Sequence, residues 1–479
     1  MNLSRIYKSS PEVLQKLMIS VTRLMNRMRY PMRIKSVPSG SSLPAEQIHC
    51  YNKQRPYGPR PFLCYAPFTS MFFSRNGFMS PCYATYNHLS DKWPETSIKQ
   101  AWFNGQFEVL RSRMKLYDLD YACSFCKPLF LSGNFGSLLP CKYEPYGIGQ
   151  QRYPKIMEFE LSNRCNLECI MCDGNLSSSI RRNRDRLPAE PEHYNSAFVE
   201  ELKEFIPHLL MAEFTGGDPF LIPIYYDIWE QINTLNPHCQ ILITTNANTM
   251  SSRIEEMLRT YNNLHFNISF DSTKREHYEQ IRVHADYDTV IQNIAIFAGY
   301  CHEHNTTCNL LVCPITLNSR DLYELVEFAN TLTIGIYFHT VVKPPELSLR
   351  TQSKEYLTDL IEYLGNFNPP RNTHLQQVNA DNYQNLISLL VSWRNANALQ
   401  SNDVVQEWNT WLSSRFDKGI QEQIVAILGD FTNHESYIKL LIVLMEMEPD
   451  DLRRILMSET DGMLRNRIVQ FLDSGTGAG

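Results

Sequence analysis

Cys165, Cys169 and Cys172 stand at C-x3-C-x2-C, a spacing short enough for three thiolates to converge on one face of a loop. Thiolates are soft ligands that select iron–sulfur clusters and zinc. Three of them can hold three irons of a four-iron cluster and leave the fourth iron open. A structural zinc site closes its shell with a fourth protein ligand, yet the next cysteine downstream is the distant Cys239. The triad therefore points to an open iron that a substrate or cofactor binds, with a zinc knuckle as the alternative. A second set lies upstream: Cys64, Gly77 after twelve residues, Cys82 after four more, then Cys123 and Cys126 at C-x2-C. Four thiolates can close one cluster, or one zinc site, completely.

The Cys165–Cys172 loop resembles the signature of the radical S-adenosylmethionine (SAM) enzymes. The resemblance implies that the open iron of a [4Fe-4S] cluster chelates SAM. One-electron reduction then yields a 5′-deoxyadenosyl radical that abstracts a hydrogen atom. Thr215–Pro219 (TGGDP) is similar to the family's Gly-Gly-Glu-Pro segment, which implies that Gly216, Gly217 and Asp218 hold the SAM ammonium group. Asp replaces Glu here and shortens the reach. Ser269 and Asp271, with Arg282 downstream, resemble the family's Ser-x-Asp strand and following Arg, implied contacts of the ribose and carboxylate. A guanidinium can grip a carboxylate bidentately. Asn246 stands where family members have Thr-Asn-Gly, and Met171 where an aromatic residue covers the adenine.

The upstream cysteines resemble the auxiliary-cluster "twitch" module, the short relative of the SPASM domain. This implies one auxiliary [4Fe-4S] cluster on Cys64, Cys82, Cys123 and Cys126. The further cysteines of a full SPASM pattern are absent, Cys141 has no place in it, and the module precedes the core instead of following it.

These residues need a frame. From residue 154 short β-type runs (156–161, 211–215, 240–245, 264–270, 309–312 and 335–342) alternate with helical patterns at 196–210, 225–235, 252–260, 289–303 and 319–332. That alternation predicts an α/β fold, a partial (β/α)6 TIM-like barrel with chemistry at the C-terminal ends of its strands. The expected organisation is a basic N-terminal helix and linker (1–61), a small α+β iron–sulfur module (62–150), the barrel (151–345) and a helical C-terminal domain (346–479). Within the module one helix is expected over 98–116, and in the C-terminal domain helical runs at 355–364, 386–393, 421–428 and 437–445.

At 479 residues and 43% hydrophobic the chain can bury large cores, which excludes wholesale disorder. A net charge of −6 argues against a nucleic-acid partner. Residues 1–60 nonetheless carry eleven Lys/Arg against Glu12 and Glu46. No apolar run spans a bilayer and no signal peptide is evident, so a cytoplasmic setting is expected and thirteen cysteines suit metal chemistry better than disulfides.

Radical SAM enzymes with such modules mostly act on peptides, so the resemblance implies a precursor peptide as substrate and a flavodoxin or ferredoxin as electron donor. An acidic leader would be drawn to the basic N-terminal stretch. Cys313 ends the fifth β-run, in Leu-Leu-Val-Cys-Pro. A weak S–H bond there could return a hydrogen atom to a planar Cα radical with inversion. This is the mechanism of the proteusin-type peptide epimerases that the chain resembles. The bland reading is a small buried hydrophobe. Peptide crosslinking or dehydrogenation, oxidation of a small alcohol, and a non-enzymatic metal scaffold are the rival readings.

Overall fold

The computed structural model describes residues 40–55, 57–103, 105–131, 138–146, 152–398 and 402–429, together with residues 23, 135, 440, 441, 444, 445 and 468. Most of the basic N-terminal stretch and of the 437–445 run lies outside the described residues. The chain divides into two compact units, Met1–Val312 with Glu327–Tyr337, and Cys313–Val326 with Phe338–Gly479.

The first unit is built on one eight-stranded sheet of order β2-β1-β3-β4-β5-β6-β7-β8. The six expected strands all appear, as β3 (Ile156–Glu160), β4 (Met211–Phe214), β5 (Gln240–Thr245), β6 (Leu264–Ser269), β7 (Cys308–Val312) and β8 (Gly335–Phe338). The two further strands, β1 (Ser70–Ser74) and β2 (Met79–Ser80), come from the cysteine-bearing segment upstream. Instead of forming a separate sheet, β1 runs parallel to β3, Ser70 opposite Ile156 and Ser74 opposite Glu160. Every residue of β1 is buried, as expected of a strand covered on both faces. The pairings from β1 through β7 are parallel, so their C-terminal ends share one edge of the sheet.

One face of this sheet is apolar. Phe159 stacks between Phe73 at 5.2 Å and Phe214 at 4.8 Å. It meets Phe198, on the helix Ser196–Leu202, edge-on. Strand side chains alternate between faces, so the opposite face is polar. Glu158 pairs in register with Glu213, and Thr244 with Asn267, which pairs with Asn309. The Asn309 amide donates to Asn267 Oδ1 at 3.0 Å. Lys142 reaches this face from the upstream segment and donates to Glu158 and to Glu213, each at 2.7 Å. Tyr143 and Ser70 donate to the other oxygen of Glu158, at 2.8 and 3.0 Å. His265, on β6, is buried and bonded to Thr307 at 2.8 Å. Burial lowers its pKa to about 4, the behaviour of a satisfied core histidine.

Two expected helices are corrected. The run 98–116 is broken into Ile98–Phe103 and Gln106–Lys115 by Gly105, at φ +67°. The run 196–210 stops at Leu202 and gives way to a 3-10 turn over Ile206–His208 that carries Pro207, which has no backbone N–H. The described α-helices that lie wholly in the second unit are Lys354–Gly365, His374–Ala398, Asn402–Arg415 and Lys418–Gly429. Trp408, Leu412, Phe416, Ile424 and Leu428 form an apolar core there, which marks this region as packing. Among the described residues no helix is long and apolar enough to cross a membrane.

Candidate cluster and cofactor site

The cysteine triad lies in the loop that leaves β3 at the C-terminal edge of the sheet. The loop is pinned before it reaches Cys165. Leu161 N–H donates to the Tyr225 hydroxyl at 2.8 Å, and that hydroxyl in turn faces the carbonyls of Thr215 and Phe159. Three serines hold the cysteines' own backbone. Ser177 donates to Leu167 O, Ser179 to Cys165 O, and Cys165 N–H donates to Ser178 Oγ. Cys169 is the deepest of the triad at 9% exposed, with Cys165 and Cys172 half-buried. Burial pushes the Cys165 thiol up to about 11 and the Cys172 thiol up to about 12, and in both the neighbouring thiols add to the rise.

The Gly216–Asp218 segment after β4 fits against this loop. Gly216 and Gly217 have φ of +83° and +48°. A Cβ on Gly216 would stand 2.6 Å from Ser162 O, and one on Gly217 would stand 2.0 Å from Arg164 O. Neither space admits a side chain, and the left-handed backbone favours glycine in any case. Asp218 N–H donates to Arg164 O at 2.7 Å. Its carboxylate is 1% exposed and accepts three protein donors: Phe220 N–H, Thr245 Oγ–H and Asn246 N–H, at 3.0, 2.8 and 2.8 Å. Burial raises its pKa, and these donors oppose the rise. Asp218 thus ties the end of β4 to the end of β5. Asn246, held there, turns its amide to Asn166 Oδ1 at 3.0 Å and to Cys165 Sγ at 3.9 Å.

A second wall comes from β6 and the helix Arg275–Ile281 that follows it. Arg282 caps that helix rather than lying within it. Its Nε donates to the fully buried Asp271 at 2.7 Å, and its Nη1 to Cys169 Sγ at 3.7 Å. Ser269 ends β6 half-buried. Met171 lies half-buried in the turn between Cys169 and Cys172.

Residues 159–329 match the Radical SAM superfamily, a span that holds the triad, the Gly-Gly-Asp segment, Ser269 and Arg282. The chain carries a radical SAM domain. A stretch of 142 residues is 27% identical to the "Antilisterial bacteriocin subtilosin biosynthesis protein AlbA" of Bacillus subtilis and covers 28% of each protein. A stretch of 147 residues is 25% identical to the GTP 3′,8-cyclase of Clostridium botulinum, covering 29% of this chain and 41% of that one. The chain thus spans less than half the length of these relatives. Among solved structures, SuiB of Streptococcus suis bound to S-adenosylmethionine aligns over 53% of this chain and 61% of its own, with 16% identity and a TM-score of 0.34.

A radical SAM domain works with one [4Fe-4S] cluster and SAM, and the residues present fit them. The donor set is three thiols, and the loop that presents them is braced on two sides. Among the described residues no three His, Cys, Asp or Glu side chains converge on one metal ion. In a cluster each thiolate binds a different iron, so the sulfurs need not meet at one point.

Outside the radical SAM domain, Cys64, Cys82, Cys123 and Cys126 all line a single cavity, walled by Phe125, Leu139, Pro140 and Tyr143. Segments far apart in sequence therefore bring these four thiols together. Burial pushes the Cys82 thiol up to about 11 and the Cys126 thiol up to about 12, and it also raises those of Cys64 and Cys123. Cys141 packs in the neighbouring core with Tyr51 and Phe130. Cys313 is the residue after β7, half-buried, and belongs to the second unit.

Several residues that shape the site had no distinct mark in the sequence. Ser177–Ser179, Tyr225, Lys142, Glu158 and Glu213 belong to none of the motifs above. A serine triplet four residues beyond the cysteine triad is the available signal, because hydroxyls readily bond nearby backbone.

Proposed function

We propose that the chain is a radical SAM enzyme that modifies a ribosomally made precursor peptide, inverting residues from L to D. The observation that carries the radical SAM part is the braced thiol triad at the C-terminal edge of the sheet. The peptide part is supported by the similarity to a protein named for the biosynthesis of a bacteriocin. When bound, the cluster and SAM supply a 5′-deoxyadenosyl radical that removes a hydrogen atom from carbon.

This chain's residues then divide the remaining work. Cys165, Cys169 and Cys172 hold the cluster. Gly216 and Gly217 bring the β4 loop against the cysteine loop, and Asp218 fixes that loop to Asn246. Gly216, Gly217, Ser269, Arg282, Asn246 and Met171 line the SAM side. Asp218 acts there by positioning, since its carboxylate is engaged by three protein donors. The Cys313 thiol gives its hydrogen atom to the planar Cα radical on the face opposite abstraction. It is thereby left as a thiyl and needs one electron and one proton back. Cys64, Cys82, Cys123 and Cys126 would hold an auxiliary [4Fe-4S] cluster, whose chemistry would be to supply electrons. A flavodoxin or ferredoxin supplies the electrons that start the cycle, and the basic N-terminal stretch attracts the acidic leader of the peptide.

The test is incubation with a precursor peptide in heavy water. Epimerisation adds one deuteron per inverted centre, whereas crosslinking or dehydrogenation lowers the mass by lost hydrogens. Cys313→Ala should still cleave SAM while D-residue formation falls to background, read by chiral amino-acid analysis. Undiminished D-residues in that variant would remove the donor role.

A further inference from the structure

The segment after the helix Arg275–Ile281 runs alongside the cysteine loop. Glu168 N–H donates to Val283 O at 3.0 Å, and Ile170 N–H donates to Ile281 O at 2.9 Å. These two bonds bracket one residue on each side, so Cys169 is set opposite Arg282 by backbone register alone. The side chains complete the match, with Arg282 Nη1 at 3.7 Å from Cys169 Sγ. The guanidinium is held from behind by Asp271, which is fully buried at the end of β6 and accepts from Arg282 Nε at 2.7 Å. Arg282 N–H also donates to Tyr278 O at 2.8 Å, which fixes its backbone to the helix end. A delocalised cation on a planar fork is thus delivered to the sulfur of the deepest ligand of the triad.

We propose that Arg282 is a positioning residue that tunes the cluster through Cys169, with Asp271 as its clamp. This inference rests on the radical SAM reading and adds a role distinct from gripping the SAM carboxylate. A hydrogen bond to a cluster sulfur stabilises the more negative, reduced state, and a fixed positive charge beside it acts in the same direction. Arg282 therefore raises the midpoint potential of this cluster and eases the one-electron reduction that starts each turnover.

The test is potentiometric titration of the SAM-responsive cluster signal by electron paramagnetic resonance, in the full chain with and without SAM. Arg282→Gln combined with Asp271→Asn removes the sulfur-facing cation together with the carboxylate that would otherwise be left bare and buried. The expected result is a full iron complement with the midpoint shifted to more negative potential, already in the absence of SAM. Asp271→Asn alone keeps the cation but removes the carboxylate that neutralises it, and should move the midpoint the other way, to more positive potential. Arg282→Lys keeps the charge but not the fork, and should fall between the wild type and the double variant. An unshifted midpoint in all three, with only SAM binding weakened, would overturn the proposal and leave Arg282 as a SAM ligand. Absence of any SAM-responsive signal in the unaltered protein would overturn the radical SAM reading itself, and this inference with it.

Discussion

Gly217→Ala is expected to empty the radical SAM site of iron and to reduce 5′-deoxyadenosine formation to background. Two independent penalties meet at this position. The backbone is left-handed at φ +48°, where an L side chain costs about 1 kcal/mol or more. The added Cβ would also stand 2.0 Å from Arg164 O, deep inside the repulsive wall. Arg164 cannot simply retreat, because its carbonyl also accepts Asp218 N–H and its neighbour is Cys165. The loop must shift as a piece and carry Cys165 with it. Gly299→Ala is the control: nothing lies within 4 Å of its Cβ, and it sits in the helix Tyr287–His304. There the change should stabilise by roughly 0.5–1 kcal/mol, with iron content unchanged. Iron analysis and 5′-deoxyadenosine assay of the two variants read the contrast directly. Full iron and normal cleavage in Gly217→Ala would mean that the two loops are not interlocked as described.

Lys142→Met is expected to destabilise the protein by about 3 kcal/mol, read as the shift in denaturant midpoint at pH 7. Glu158 and Glu213 stand side by side in register on the polar face of the sheet, with side chains 8% and 15% exposed. Lys142 bridges both at 2.7 Å. Burial works against its charge, but the two carboxylates outweigh that and raise its pKa. The figure sits at the low end for a broken buried pair because the Lys142 side chain is itself 33% exposed. Without the ammonium, two buried carboxylates face each other, and one must take a proton. Glu213, whose pKa burial and Glu158 already raise, is the one expected to take it. The variant should therefore recover more stability than the wild type as pH falls from 7 toward 5. The sign follows from linkage: a carboxyl with a raised folded pKa binds more protons folded than unfolded, so stability falls as pH rises through that range. Adding Glu213→Gln to Lys142→Met should restore most of the loss at pH 7. A variant as stable as wild type at pH 7 would show that the bridge contributes nothing.

The cysteine motifs and the strand frame were legible because each rests on local sequence. The triad spans a few residues, and strands β3–β8 announce themselves by short apolar runs between helical periods. What escaped depends on contacts between distant segments. Lys142 meets Glu213 across 71 positions, a distance over which periodicity carries no information. The strand Ser70–Ser74 is buried on both faces, so it lacks the alternation that would mark it as a partner of β3. Asp218 was readable as part of a loop motif, but not that Thr245 and Asn246 would occupy its carboxylate. The auxiliary cysteines lie between these cases, since the pattern suggested a set and the fold brings all four to one cavity.

In the proposed function Cys165, Cys169 and Cys172 hold the cluster that cleaves SAM. The most direct test is the anaerobically reconstituted protein, reduced with dithionite in the presence of SAM and assayed for 5′-deoxyadenosine beside a variant with all three cysteines changed to alanine. The wild type should form 5′-deoxyadenosine, and the variant should form none while keeping the iron held by the upstream cysteines. A variant that still cleaves SAM, or a fully iron-loaded wild type that does not, would contradict the account.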